Sequence, residues 1–443
     1  MFKLSLFMNW KSLLLFYLLL SGILSFAQQG LTHSGDSDHE ELGLHIKGRN
    51  CGTMLHHDHL LKTDPNYKYN IENIERFTQE YIQNHANAKT STIVTIPVVF
   101  HVVYRLASEN IPDSRIMEQL DVLNKDFAKL NSDTNLVPAV WKPLHVDTQI
   151  RFCLAQRDPS GNPTTGITRT STTKTSFDIY ADDVKFTATG GKSAWNTSEY
   201  LNIWICRLSG GILGYAQLPG GPVATDGVVI DYRYTGITGA LSPYNKGRTG
   251  THEVGHYFNL RHIWGDYSGC SPDDLVSDTP LQDVSSSGCP TFPKTDACQP
   301  SSPGVMFMNY MDYSNDACMY MFTAGQRTRM QAAIAGPRAS LITSMGCTPV
   351  TNLVPQPDLN NAQISVIPNP NTGIFQLIYN VQNGKNFKVE IYNALGQIIY
   401  VDEPIHFTGL YHRNIDVSRY SKGLYMVRVR EEDDIYIYKV QVQ

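Results

Sequence analysis

Charge of either sign is sparse in this 443-residue chain: Asp, Glu, Lys and Arg make up 17% of it, and the formal net charge is −5. No basic field exists to attract a polyanion, so a nucleic-acid partner is excluded. Long apolar runs are missing beyond the first two dozen residues, which excludes a later transmembrane anchor. Tight CxxC spacings are missing too, and with them the usual signature of a cysteine zinc site. Histidine is scarce, at 14 residues, yet three of them fall within Thr251–Asp266.

What is present first is an export signal. Lys3 and Lys11 precede a leucine-rich run that ends in Ser25-Phe26-Ala27, the pattern of a signal peptide over residues 1–27. Export permits disulfides among the eight cysteines. A chain of this length divides into two to four units. Residues 28–88 are polar, with His56, His57 and His59 clustered, and read as a pro-segment whose histidines are a solvated run. A β-branched stretch, Thr92–Tyr104, opens a globular domain spanning 89–347. Within it, Ile116, Leu120, Leu123, Phe127 and Leu130 share a helical face that Asp113 or Ser114 would cap. Gln149–Gln156, Tyr200–Leu208 and Gly227–Tyr234 read as strands. Prolines and asparagines mark a linker at 348–362, and 363–443 is almost all strand and turn. The expected fold is therefore a mixed α/β (α+β) domain with a twisted sheet, followed by a small all-β sandwich.

The chemistry concentrates in HEVGHYFNLRH. His252 and His256, four apart, project from one face of a helix and can meet one ion, with Glu253 beside them free to act as a base. His262 supplies a third nitrogen if the chain turns at Asn259, a residue that tolerates left-handed backbone. Three neutral histidines would leave a zinc ion its full charge and an open position for water, whose proton Glu253 would take and pass to a leaving amine.

This segment resembles the extended zinc motif of the metzincin peptidases, and NYMDY (Asn309–Tyr313) looks like their Met-turn. Trp264-Gly265-Asp266, DDLVSDTP and FTAGQRTRM make the pappalysin-type branch the nearest resemblance, over roughly 93–347. The resemblance implies a secreted zinc endopeptidase in which Met311 packs beneath the metal and Tyr313 approaches the metal or the oxyanion. It also implies disulfides Cys270–Cys298 and Cys289–Cys318, where sequence alone allows three pairings. Calcium at Asp274 and Thr279 follows from the same likeness, with Asp273 and Asp278 as further hard donors.

Cys51, in GRNCGT, would act as the cysteine switch of a zymogen by filling the open position; the competing expectation is a disulfide to Cys153, Cys206 or Cys347. Asp316 falls where the family receives the residue after the scissile bond, so Arg or Lys is expected there, and self-cleavage is expected between Ala88 and Lys89. The tail, with IPNPNTG and YNALGQIIY, resembles the sorting domain of type IX secretion substrates. That implies passage through the secretion machinery and a secreted or surface-attached product. The alternative is a surface adhesion or binding protein with a structural metal.

Overall fold

The computed structural model describes residues 49–85, 92–271, 273–349, 364–393, 395–431 and 434–443. The expected signal peptide, most of the expected linker and the expected Ala88–Lys89 cut lie outside the described residues. The chain divides into two compact units, Met1–Val350 and Thr351–Gln443.

In the first unit, two helices among the described residues come before the sheet: α1 (Thr53–Thr63) and α2 (Tyr67–His85). The described part of the segment expected to lack a core, residues 49–85, is thus folded, and its histidines are not a solvated run. His56 is buried and its Nε2 lies 2.8 Å from the Asp182 carboxylate; His57 Nδ1 lies 2.9 Å from the Tyr67 hydroxyl, and His59 packs its ring on Tyr180. Their partners lie 10 to 126 residues away, so no local pattern announces them.

The sheet begins with β1 (Val94–Tyr104), followed by α3 (Asp113–Phe127), β2 (Ile150–Leu154), β3 (Ile167–Ser171), β4 (Leu201–Cys206), β5 (Gly214–Ala216) and β6 (Val228–Asp231). Strand order is β2-β1-β4-β6-β5, with β3 continuing alongside the second half of β1; every pairing is parallel except β5 with β6. Parallel strands are buried on both faces, which is why β1 and β4 read as unbroken apolar runs. Val98, Phe100 and Val102 meet Ile116, Leu120, Leu123 and Phe127 of α3 on one face; Val103, Trp204 and Val229 pack with Phe177 and Tyr215 on the other.

Three local expectations are corrected. Pro112, not Asp113 or Ser114, holds the N-cap position of α3, and Asp113 ion-pairs with Arg169 instead. Leu130 is 71% exposed because the helix ends at Phe127 and Lys129 turns left-handed. Tyr232–Tyr234 is a 3-10 turn rather than strand, pinned by Asp231 accepting from the Arg233 amide. The sheet's β3 and β5 were not expected: one is polar (ITRTS), the other only three residues long.

Below the sheet lie α4 (Arg248–Tyr257) and α5 (Ala324–Ala335), the latter opened by a Thr323–Gln326 capping box. Among the described residues the second unit has seven strands, β7 to β13, between Ile364 and Val442, in sheets ordered β10-β9-β12-β13 and β11-β8-β7, all antiparallel. Phe375, Leu377 and Tyr411 of one sheet share a core with Val389, Val427 and Val440 of the other, which makes a sandwich.

Candidate metal centre and cleft

All ten residues of α4 are buried, and its face carries His252 and His256 one turn apart. The helix stops where Asn259 takes φ 69°, so the chain doubles back and returns His262 to the same point. The three Nε2 atoms form a triangle with sides of 3.1, 3.2 and 3.0 Å. Each opposite nitrogen faces an acceptor: His252 Nδ1 lies 2.7 Å from the Tyr310 carbonyl, His256 Nδ1 lies 2.8 Å from that of Leu260, and His262 Nδ1 meets the Asp266 carboxylate. With the protons fixed on Nδ1, three lone pairs converge at van der Waals distance with no hydrogen between them, an arrangement that only a cation relieves. Burial pushes the pKa values of His252 and His256 well below the ordinary range, so both stay neutral as ligands must be.

Met311 is fully buried beneath this triangle. Its turn is built by Asn309, whose Oδ1 accepts from the Met311 amide at 2.9 Å while its side chain exchanges two bonds with Gln326. Gly255 makes room for the methionine: a Cβ there would sit 2.5 Å from Met311 Sδ. Tyr313 packs against His262 (4.9 Å between centroids) and Trp264 (4.6 Å), and Trp264 in turn stacks on His262.

A fourth donor comes from far upstream. Cys51 is buried and unpaired, and its Sγ, with the three histidine nitrogens, forms a group in which all ligand atoms lie within 4.8 Å of one another. Its position comes from the backbone: the Leu213 amide donates to the Asn50 carbonyl at 2.9 Å and the Gly52 amide to the Gly214 carbonyl at 2.8 Å. Residues 50–52 thereby extend the sheet as a parallel strand along β5. Thr53 donates its hydroxyl to Glu253 Oε2 at 2.9 Å and accepts from the Ala216 amide at 2.8 Å, while the Cys51 thiol meets the same Glu253 oxygen at 3.3 Å. Burial raises the Glu253 pKa to about 7 against those hydrogen bonds, and raises that of Cys51 well above its usual range.

Two residues before Cys51, Arg49 enters the pocket that holds Asp316. The pair is buried, at 2.5 Å, and Asp316 Oδ2 is held by the amides of Lys246 and Arg248 at the start of α4. The guanidinium also donates to the Thr249 hydroxyl at 3.2 Å and to Met319 Sδ at 3.3 Å, and lies 4.9 Å over the Tyr244 ring. Sequence reasoning found Asp316 and Cys51 but missed Arg49, Thr53 and Asp266. The signal for Arg49 was available, since an arginine two residues from the switch cysteine complements an acidic pocket.

The disulfides are Cys270–Cys298, Cys289–Cys318 and Cys153–Cys347. The alternative disulfide for Cys51 is thereby overturned, and Cys206 is the other free thiol, buried in the sheet. Asp274 is buried, with both carboxylate oxygens 2.9 Å from the Thr279 hydroxyl and one accepting from the Val276 amide. Asp278, expected among the hard donors, instead accepts from the Thr323 hydroxyl and the Gly325 amide at the start of α5.

A helix-borne histidine pair, a third histidine across a turn, an intervening glutamate and a methionine floor define a metalloprotease. Residues 186–335 match the family model described as pregnancy-associated plasma protein-A, peptidase family M43, and residues 365–443 match a secretion system C-terminal sorting domain. An extracellular metalloprotease of Podospora anserina is 32% identical over 65% of this chain and 89% of its own, and one of Trichophyton verrucosum is 31% identical over 55% and 79%. Tannerella forsythia promirolysin, as a mutant, superposes with TM-score 0.62 and 47% identity over 66% of this chain and 97% of its own. Mature mirolysin with a cleaved peptide gives 0.57 and 51% over 58% and 97%. The chain belongs to this family of secreted M43 metalloproteases and carries a secretion sorting domain at its C-terminal end. No described helix is long and apolar enough to cross a membrane.

Proposed function

We propose that this protein is a zinc endopeptidase made as a latent precursor, cleaving before arginine and, less well, before lysine. The observation that carries the reading is one stretch, Arg49–Thr53, that engages the specificity pocket, the metal donors and the base together. His252, His256 and His262 would hold the ion; three neutral imidazoles suit zinc, which when bound acidifies water and polarises a carbonyl. Glu253 takes the proton of the attacking water at its carboxylate and delivers it to the leaving amine. In the latent form that carboxylate is engaged by Thr53 and Cys51, so the base is occupied as well as the metal donors. The Tyr313 ring packs against His252 and His262 beside the metal donors, which supports its hydroxyl as the donor to the oxyanion.

Asp316 would bind the side chain that follows the scissile bond. Arg49 shows how a guanidinium fits there: one nitrogen on the carboxylate, another on Thr249, with the plane over Tyr244, contacts that an ammonium cannot make together. The precursor reading also rests on the solved relatives, since the share of this chain matched falls from 66% for promirolysin to 58% for the mature form. On this reading the domains are a signal peptide, a pro-segment ending near residue 88, a peptidase unit, a linker and a sorting unit. Calcium at Asp274 and Thr279 belongs to the same proposal, supported by a buried carboxylate whose pKa burial raises well above normal and which a cation would stabilise. Calcium binding by calorimetry, lost in Asp274→Asn, tests it.

The decisive experiment compares processed parent with Glu253→Ala on a peptide library, with zinc content measured on both. The reading holds if both carry one zinc and only the parent cuts, before Arg. Zinc in both and cleavage by neither would favour a binding protein.

A further inference from the structure

We propose that the processed enzyme has a second charged subsite, formed by Arg261 and Arg329, which binds a carboxylate side chain of the substrate on the amino-terminal side of the scissile bond. The inference rests on the precursor reading above.

In the latent form Glu75 of α2 occupies this place. Its two carboxylate oxygens take a bidentate pair from Arg329, at 2.9 and 2.5 Å, and hold the Glu75 pKa below the usual range despite burial. The Arg329 side chain is fully buried, and its Nε donates to the carbonyl of Asn259 at 2.7 Å. Arg261, which precedes His262 in the chain just past the Asn259 turn, is half-buried. Glu75 shares its segment with Tyr67 and His57, which are joined to each other at 2.9 Å. When the segment leaves, all three go together. Arg329 then loses its carboxylate partner and keeps the Asn259 carbonyl, while the nearby Asp266 is already committed to His262. A buried cation that loses its anion is costly, so the vacated seat selects another carboxylate.

The fold fixes which side of the cleft this is. Asp316 lies at the N-terminus of α4, whereas Asn259, whose carbonyl accepts from Arg329 of α5, lies just beyond its C-terminus, with the two helical histidines between. The arginine pair therefore flanks the metal donors on the side opposite the pocket for the residue after the scissile bond. Ten helical residues span about 15 Å and an extended chain covers about 3.3 Å per residue, so the carboxylate belongs roughly two to four residues before the cut. The pro-segment would then mimic substrate at both ends, Arg49 at one and Glu75 at the other.

The test uses processed full-length enzyme and peptides with Arg after the scissile bond and Glu, Gln or Lys at each of the four preceding positions. The expected result is a preference in kcat/KM of about tenfold for Glu over Gln at one of the second to fourth positions, shrinking with added salt and falling to below twofold in Arg261→Gln and in Arg329→Gln. Because Arg329 is buried and its variant may fail to fold, the half-buried Arg261 carries the test alone if necessary. A parent that cuts neutral peptides with no Glu preference at any position overturns the subsite. So does a preference that survives in Arg261→Gln. Failure to cut any peptide would instead sink the peptidase reading on which the subsite rests.

Discussion

Replacing Arg49 with alanine should shorten the latency of the precursor without touching the catalytic groups. The ion pair it makes with Asp316 is buried at both ends, with side chains 1% and 0% exposed, and it adds contacts to Thr249, Met319 and Tyr244. Truncating one member of a buried, hydrogen-bonded charge pair costs about 2–5 kcal/mol. Asp316 regains water once the segment opens, so the lower half of that range applies, about 2–3 kcal/mol. At 1.4 kcal/mol per decade the opened fraction rises by a factor of about 30–140. The assay follows the lag before purified precursor cleaves a fluorogenic peptide with Arg after the scissile bond, at fixed zinc. Arg49→Lys should fall between parent and alanine, because it keeps the charge and loses the fork. A lag changed by less than about twofold in Arg49→Ala would refute the idea that the pocket contributes to latency.

Cys51→Ser should also shorten the lag, and by more than Thr53→Ala, since the thiol is one of the four metal donors; equal lags for parent and both variants would remove the switch. Burial lowers the His56 pKa in the docked segment, although Asp182 opposes the shift and Lys185 and His59 add to it. A free His56 titrates near 6.5, so protons bind preferentially to the released state and docking weakens as pH falls below that value. Precursor should therefore open faster at pH 5.5 than at pH 7.5, and His56→Gln should flatten that dependence, as limited proteolysis across the pH range will show. Gly255→Ala places a methyl 2.5 Å from Met311 Sδ, and overpacking of this kind costs about 1–3 kcal/mol. Thermal unfolding should drop by several degrees and zinc should bind more weakly, whereas an unchanged melting temperature would mean that the turn yields freely.

The parts of the molecule legible in the sequence were those set by local rules. β1 and α3 announce themselves by β-branched and 3.6-residue patterns, and the histidine helix with its left-handed Asn259 follows from spacing and one turn preference. What escaped was whatever depends on partners far away in sequence. β5, three residues long, exists because β6 and residues 50–52 flank it. Asp266 looks like a loop carboxylate until His262 folds back onto it, and His56 looks like surface until Asp182, 126 residues away, meets it. Leu130 fails for the opposite reason: the pattern continued past the point where Lys129 ends the helix.

The Cys153–Cys347 disulfide joins β2 to the stretch just before the boundary at Val350, across 194 residues of sequence. It therefore acts as a mechanical stop. Any tension on the chain beyond Cys347 would pass through a covalent bond into the sheet, instead of peeling α5 away from the metal centre. Were the chain cut beyond Cys347, the same staple would hold the end of the peptidase unit to β2.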